Sequence, residues 1–260
     1  MLTPIWLLPL LAALALAPTD ANAHTDLLQW EVLDRDTGLS LPAYAYRGER
    51  WVAGTPGHRY ALRLRNLSGE RVLAVVSVDG VNVVTGASAA TSQAGYVLAP
   101  YESAEITGWR KSMSDVAAFV FTAVPDSYAA RTGRAENVGV LGLAVFAERQ
   151  PPPQPPAVQA RRKAAARDAA SGALAEASPP APAAQPTERA AENSRQELGT
   201  GHGAREYAPT RYTAFERASA EPAHVVALRY DSLERLLALG VIARPQPFPL
   251  SFVPDPPPIR

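Results

Sequence analysis

Histidine offers metal and acid–base chemistry more readily than any other residue type in this chain, which has four in 260 residues. His24 would become the amino terminus if a leader were cleaved after Ala23, and a terminal amine beside an imidazole is a pair of nitrogen ligands suited to copper. A second imidazole would have to come from His58, His202 or His224. No His-x-His pair and no cysteine accompanies them. A copper site or an enzyme using His24 or His202 is therefore the alternative hypothesis, and the leading expectation is no metal and no cofactor.

Hydrolytic chemistry would need a nucleophile, a base and an orienting acid. The Gly-x-Ser-x-Gly pattern is absent, and His58 lies in a predicted turn with no acid close to it in sequence. Asp79 precedes Gly80, a pair typical of a tight hairpin, so we expect it to cap a turn. The lack of cysteine excludes thiol catalysis. The sequence predicts that the protein is not an enzyme.

Two short strings could bind a ligand without catalysis. In Gly108-Trp-Arg-Lys, an aromatic ring and cations could stack on a sugar or on a partner, or Trp109 could close the end of a core with Arg110 across it, which we favour. In Leu198-Gly-Thr-Gly-His-Gly, backbone N–H groups could hold an anion, or the string could be a flexible loop. It lacks the lysine and the strand–helix context of phosphate-binding motifs. The candidate binding residues are Trp109, Arg110, Gly201 and His202.

Strands must position these residues. Apolar and basic side chains alternate over residues 60–66, which is typical of a half-buried strand, and residues 72–78 are almost wholly apolar. Asp79-Gly80 then predicts a hairpin turn. Turn signals recur every eight to twelve residues or so up to residue 149, a spacing typical of sandwiches. We expect a mostly β fold, an antiparallel β-sandwich of immunoglobulin-like or jelly-roll-like type.

The chain divides into five parts. Residues 1–23 read as a signal peptide, 24–149 as the sandwich, 150–197 as a disordered Ala/Pro-rich linker, 198–243 as a docked segment and 244–260 as a proline-rich tail. The docked segment is predicted to contain strands at residues 212–217 and 224–230. A short helix should follow, with Asp231 as its N-cap, Glu234 completing a capping box and Gly240 ending it. Because this segment is too short for its own core, we expect it to pack on the sandwich.

Localisation follows from the amino-terminal residues. The apolar run of residues 5–17 is shorter than the roughly 20 residues that span a bilayer, and Ala21-Asn-Ala has the form of a cleavage site. We therefore expect a periplasmic or secreted protein without a transmembrane span. The formal net charge is zero, with 25 basic and 25 acidic residues, so nucleic acid is not expected as a partner.

Several strings resemble an uncharacterised family of exported proteobacterial proteins. They are Leu73-Ala-Val-Val-Ser-Val-Asp-Gly-Val-Asn-Val, Gly95-Tyr-Val-Leu-Ala-Pro, Ile106-Thr-Gly-Trp-Arg-Lys, Ser127-Tyr-Ala-Ala-Arg-Thr-Gly-Arg, Leu198-Gly-Thr-Gly-His-Gly and Phe215-Glu-Arg-Ala-Ser. The resemblance implies no activity, but it implies that the segment after the linker belongs to the same structural unit. The expected function is a non-enzymatic interaction or envelope-accessory role, with another envelope protein as partner.

Overall fold

A computed structural model describes residues 27–150 and 196–244, together with the backbone of residues 23–24. Most of the predicted signal peptide, the interior of the predicted linker and nearly all of the proline-rich tail lie outside these residues. Among the described helices, none is long and apolar enough to cross a membrane.

Strands dominate the described residues, and helices are few and short. The helices are α1 (Tyr128–Arg131) and α2 (Leu233–Ala238). The strands are β1 (Ala23–His24), β2 (Leu28–Asp34), β3 (Ser40–Leu41), β4 (Ala43–Tyr46), β5 (Glu49–Gly54), β6 (Arg59–Asn66), β7 (Val72–Val78), β8 (Val81–Asn82), β9 (Tyr96–Leu98), β10 (Ser103–Ile106), β11 (Gly108–Arg110), β12 (Asp115–Ala123), β13 (Val140–Ala147), β14 (Leu198–Tyr207) and β15 (His224–Ser232).

Two sheets pack face to face, which confirms the predicted β-sandwich. In the first sheet β2 pairs with β6, β6 with β12 and β12 with β14, and β1, β3, β10 and β11 complete it. In the second sheet the order is β4, β5, β15, β13, β7 and β8, and β9 also pairs with β7. Every described pairing is antiparallel except that of β15 with β5, which is parallel.

The segment after residue 196 is part of both sheets and not an addition to one face. β14 pairs with β12 in the first sheet, and β15 lies between β5 and β13 in the second. The segment is therefore built into the sandwich through both of its strands. Removing this segment would leave a gap inside the second sheet, so the sandwich core depends on it.

Within this segment, three predictions about local structure are wrong. The glycine-rich string is the first half of β14 and not a loop, while residues 212–217 form no strand. The glycines permit close packing: a Cβ on Gly199 would lie 2.7 Å from the Cβ of Ser127. The N-cap of α2 is Ser232 and not the predicted Asp231: the Ser232 hydroxyl accepts from the Arg235 amide, whereas the Asp231 carboxylate accepts from the Ser232 amide.

The predicted alternation on β6 is confirmed. Tyr60, Leu62 and Leu64 are fully buried between the sheets, whereas Arg63 lies on the outer face and forms ion pairs with Glu31 and Glu105. β7 differs because it is buried on both faces. Its even-numbered residues join the central core, and Leu73 and Val75 join a smaller apolar cluster on the outer side of the second sheet.

Candidate functional site

Residues 208–218, here called the strap, connect β14 to β15 across the outer side of the second sheet. At one end the Ala208 amide donates to the carbonyl of Ser114, at 2.7 Å. At the other end the Ala218 amide donates to the carbonyl of Ala147, at 3.0 Å. The strap is therefore fixed at both ends although it has no regular secondary structure.

One aromatic side chain also holds the strap against the second sheet. Phe215 packs on the smaller apolar cluster, which consists of Leu73, Val75, Ala144 and Phe146. This cluster would face solvent if the strap were absent, so its burial stabilises the strap against the sheet. The apolar residues that predicted a strand at 212–217 are explained by this packing.

A groove of about 680 Å³ runs between the strap, β9 and the β11–β12 hairpin, and we call it the strap groove. It falls within the usual size range of ligand pockets, about 300–1,000 Å³. Its lining includes no Asp or Glu. The cationic and aromatic side chains that line it are Arg110, Lys111, Arg211, Arg217, Tyr96, Tyr212 and Phe215.

Arg110 is held in the groove by neutral oxygens. Its Nη1 donates to the carbonyl of Ala208, and its Nε and Nη2 donate to the hydroxyl of Tyr96 at 3.3 and 3.0 Å. The guanidinium carbon also lies 5.7 Å from the centre of the Tyr96 ring. These contacts fix the orientation of the guanidinium but leave its positive charge without a carboxylate partner.

Arg217 is fixed in the same manner at the opposite side. Its two terminal nitrogens donate to the carbonyls of Thr91 and Gln93, at 3.0 and 2.7 Å. Its guanidinium carbon lies 4.0 Å from the centre of the Phe146 ring. Partial burial lowers the pKa of Arg217 from its usual value, but the group stays charged at neutral pH.

The remaining cations of the groove are exposed and have no carboxylate partner among the described residues. These are Lys111 and Arg211, and next to Arg211 the side chain of Tyr212 is 91% exposed. Elsewhere ion pairing of arginine is common. Six other arginines form ion pairs with carboxylates: Arg35, Arg59, Arg63, Arg71, Arg149 and Arg229.

The structure separates the residues that the sequence grouped as binding candidates. Trp109 and Arg110 are neighbours on β11 and point to opposite sides, so Arg110 lines the groove while Trp109 is buried, with 2% exposure. The Trp109 ring packs edge-on against Phe119, with 4.9 Å between the ring centres. Of the four candidates, only Arg110 lines the strap groove.

Gly201 and His202 lie on β14, opposite β12. The exposed imidazole of His202 is parallel to the Trp109 ring, with 6.4 Å between the ring centres. Partial burial, followed by the positive charge of Lys111, lowers the pKa of His202. A Cβ on Gly201 would lie 3.2 Å from Cγ2 of Thr122, so this glycine also serves packing.

Among the described residues, no group of three potential metal ligands includes His202, and the side chain of His24 lies outside these residues. One group of three potential ligands is present, formed by Asp34, Asp36 and His58. Nδ1 of His58 is hydrogen-bonded to Asp34 Oδ2 at 2.8 Å, and Asp36 Oδ1 accepts from Nη2 of Arg59 at 2.5 Å. His58 therefore has an acid beside it, which the sequence did not reveal because 24 positions separate the two. The Asp36 carboxylate already forms an ion pair with Arg59.

Sequence reasoning missed a second polar cluster, which lies between the sheets and which we call the buried polar chain. It consists of Tyr60, Thr200, Tyr230 and Asp79, each fully buried. Thr200 Oγ1 lies 2.6 Å from the hydroxyl of each tyrosine, and the Tyr230 hydroxyl donates to Asp79 Oδ1 at 2.6 Å. The four side chains therefore connect both sheets, and two of them come from the carboxyl-terminal segment.

Asp79 ends this chain in an unusual environment. The predicted hairpin turn is confirmed, with φ of 52° at Asp79 and 71° at Gly80, but the carboxylate points inward. It accepts from the amides of Gly139 and Thr200, at 3.0 and 2.8 Å, as well as from Tyr230. Burial raises the pKa of Asp79 to about 7, although these hydrogen bonds lower it in part.

Comparison with family models, with curated proteins and with solved structures finds no match to this chain. Its function has to be inferred from geometry and charge.

Proposed function

We propose that the protein is an exported, non-enzymatic interaction module that binds another protein of the cell envelope through the strap groove. The observation that carries the proposal is the charge of the groove lining, where four cations and no carboxylate line one concave surface. The sequence supports export through the predicted signal peptide of residues 1–23.

The composition of the groove supports binding of a macromolecule. Arginine and tyrosine are the residues that most often carry interface energy, and both are present here. Arg110 and Arg217 are already fixed by hydrogen bonds to main-chain oxygens, so a partner would lose little side-chain entropy in ordering them. Tyr212 offers a large exposed ring at the rim.

The other polar clusters support structural roles. The buried polar chain is closed to solvent, so a substrate could not reach the carboxyl of Asp79 without unfolding. The His58 imidazole is oriented by Asp34, but Arg59 and Asp36 beside it form an ion pair. Neither cluster supplies the full set of a nucleophile, a base and an oxyanion site.

A capture experiment from envelope extract tests the proposal. Tagged full-length protein is compared with the double variant Lys111→Glu/Arg211→Glu, and captured proteins are identified by mass spectrometry and then rebound in purified form. Arg65→Glu is the matched control, since Arg65 is an exposed arginine on β6 outside the groove lining. We expect the double variant alone to lose the partner. The same purified partner binding equally to all three proteins would contradict the proposal.

A further inference from the structure

We infer that the strap groove recognises an acidic peptide segment that also carries apolar side chains, an inference that rests on the proposed function. It assigns a ligand class to the groove, which the interaction role alone does not.

The first argument is charge. Arg110 and Arg217 use neutral oxygens as hydrogen-bond partners, so their charges remain available to an anion. Lys111 and Arg211 are exposed at the rim. Guanidinium groups bind carboxylates with two parallel hydrogen bonds, and clusters of arginine are a recurring means of recognising acidic motifs.

The second argument is the apolar part of the groove lining. Leu73, Val84, Val97 and Phe215 line the groove together with the cations. A polysaccharide of acidic sugars would satisfy the charges and leave these apolar side chains against polar groups. A peptide with alternating acidic and apolar side chains would satisfy both, because successive side chains of an extended segment point to opposite sides.

The third argument is hydrogen bonding along the walls. Hydroxyl side chains line the groove, and those of Ser92 and Thr210 are able to pair with the main chain of an extended peptide. The side chains of Gln93, Ser112 and Thr213, which also line it, already form hydrogen bonds within the fold. A phosphate backbone would present acceptors only, whereas a peptide main chain presents donors and acceptors.

Two carboxylates lie near the cationic surface. Asp115 accepts from the hydroxyls of Ser112 and Ser114, both at 2.7 Å, and these hydrogen bonds, followed by the charges of Arg205 and Arg110, lower its pKa. On the far side of the strap, Glu102 accepts from the Ala99 amide at 2.7 Å. Neither acid belongs to the groove lining, so the lining that an acidic ligand would meet carries only positive charges.

Fluorescence anisotropy with the full chain tests the ligand class. Four fluorescein-labelled probes of equal length are compared: a peptide of alternating Glu and Leu, one of Glu and Ser, one of Lys and Leu, and an oligogalacturonate. We expect saturable binding of the Glu/Leu peptide, roughly tenfold tighter than each other probe, and weakened roughly tenfold by Lys111→Glu/Arg211→Glu. Binding should weaken as salt is raised, and Arg65→Glu should leave it unchanged.

Three outcomes would overturn the inference. Equal binding of the Glu/Ser peptide would remove the apolar requirement, tighter binding of the oligogalacturonate would make the ligand an acidic glycan, and no saturable binding would remove the acidic peptide. Failure of the broader function is distinguishable. If the envelope partner still depends on Lys111 and Arg211 while the Glu/Leu peptide does not bind, only the ligand class is wrong.

Discussion

The buried polar chain and the strap groove both join the carboxyl-terminal segment to the rest of the molecule, but they treat polar groups in opposite ways. In the buried chain, Asp79 accepts from three donors of the fold and each tyrosine hydroxyl has a partner. In the groove, four cations have neutral acceptors or none. Polar groups that are satisfied internally stabilise the fold, and charges left unpaired at a concave surface are available to a partner.

Removal of the Asp79 carboxylate should have the largest effect on stability. Asp79→Ala leaves the amides of Gly139 and Thr200 and the hydroxyl of Tyr230 without their acceptor, so the free energy of unfolding should fall by about 3 kcal/mol. Urea denaturation followed by tryptophan fluorescence measures this. Asp115→Ala, an acid beside the groove, is the control and should change little. A loss as small as the control's would mean that the buried chain does not hold the sheets together.

The same carboxyl should make stability depend on pH. The pKa of Asp79 is about 7 in the fold against 3.8 for an ordinary Asp, so the folded protein keeps a proton that the unfolded chain has released. Stability from this group is therefore greatest at low pH and is lost as the pH rises, by about 2 kcal/mol between pH 5 and 7. The pKa of Asp231, raised by burial to about 6, acts in the same direction.

Other acids act in the opposite direction, so this pH effect has to be measured as a difference. The His58 hydrogen bond and two backbone amides outweigh burial and lower the pKa of Asp34, which loses its stabilising effect as the pH falls. Subtracting the unfolding free energy of Asp79→Asn, which cannot titrate at this position, isolates the Asp79 contribution. A difference that stays flat from pH 5 to 8 would show that Asp79 remains ionised throughout.

The two tyrosines should rank by the number of partners of each hydroxyl. The Tyr230 hydroxyl contacts both Asp79 and Thr200, whereas the Tyr60 hydroxyl contacts Thr200 alone. Tyr230→Phe should cost about 2 kcal/mol and Tyr60→Phe about 1 kcal/mol. The same denaturation measurement checks the order, and a larger loss for Tyr60→Phe would contradict it.

Substitution at the groove rim should have the smallest effect on stability. Tyr212→Ala removes a side chain that is 91% exposed, so we expect the midpoint of thermal unfolding to stay unchanged. Binding of the partner should weaken, because an exposed tyrosine at the rim offers contact area. Phe215→Ala is the matched comparison: Phe215 anchors the strap, and its loss should lower both stability and binding. A drop in the unfolding midpoint of Tyr212→Ala would show that the Tyr212 ring contributes to the stability of the fold.

Local patterns in the sequence predicted the elements that depend on local physics. The alternation over residues 60–66 and the Asp79-Gly80 turn are both confirmed, since period and turn chemistry are legible within a few residues. The glycine-rich string was predicted wrongly because glycine disfavours strands, and the close packing of Gly199, Gly201 and Gly203 against neighbouring residues explains it.

Contacts between residues far apart along the chain could not be predicted from the sequence. The parallel pairing of β15 with β5 joins residues almost 180 positions apart, and the buried polar chain joins four separate places along the chain. The sequence singled out Arg110 in the groove but missed Arg211, Tyr212 and Arg217, since the apolar residues around them indicated a strand. The anchoring of Phe215 on the second sheet accounts for those apolar residues.

The most direct test compares one variant from each region in the same preparations. Lys111→Glu/Arg211→Glu and Tyr60→Phe are each assayed for unfolding free energy and for binding of the purified envelope partner. We predict that the groove variant keeps wild-type stability and loses the partner, while Tyr60→Phe loses stability and keeps the partner. Retention of the partner by the groove variant, or loss of both properties in it, would contradict the assignment of binding to the strap groove.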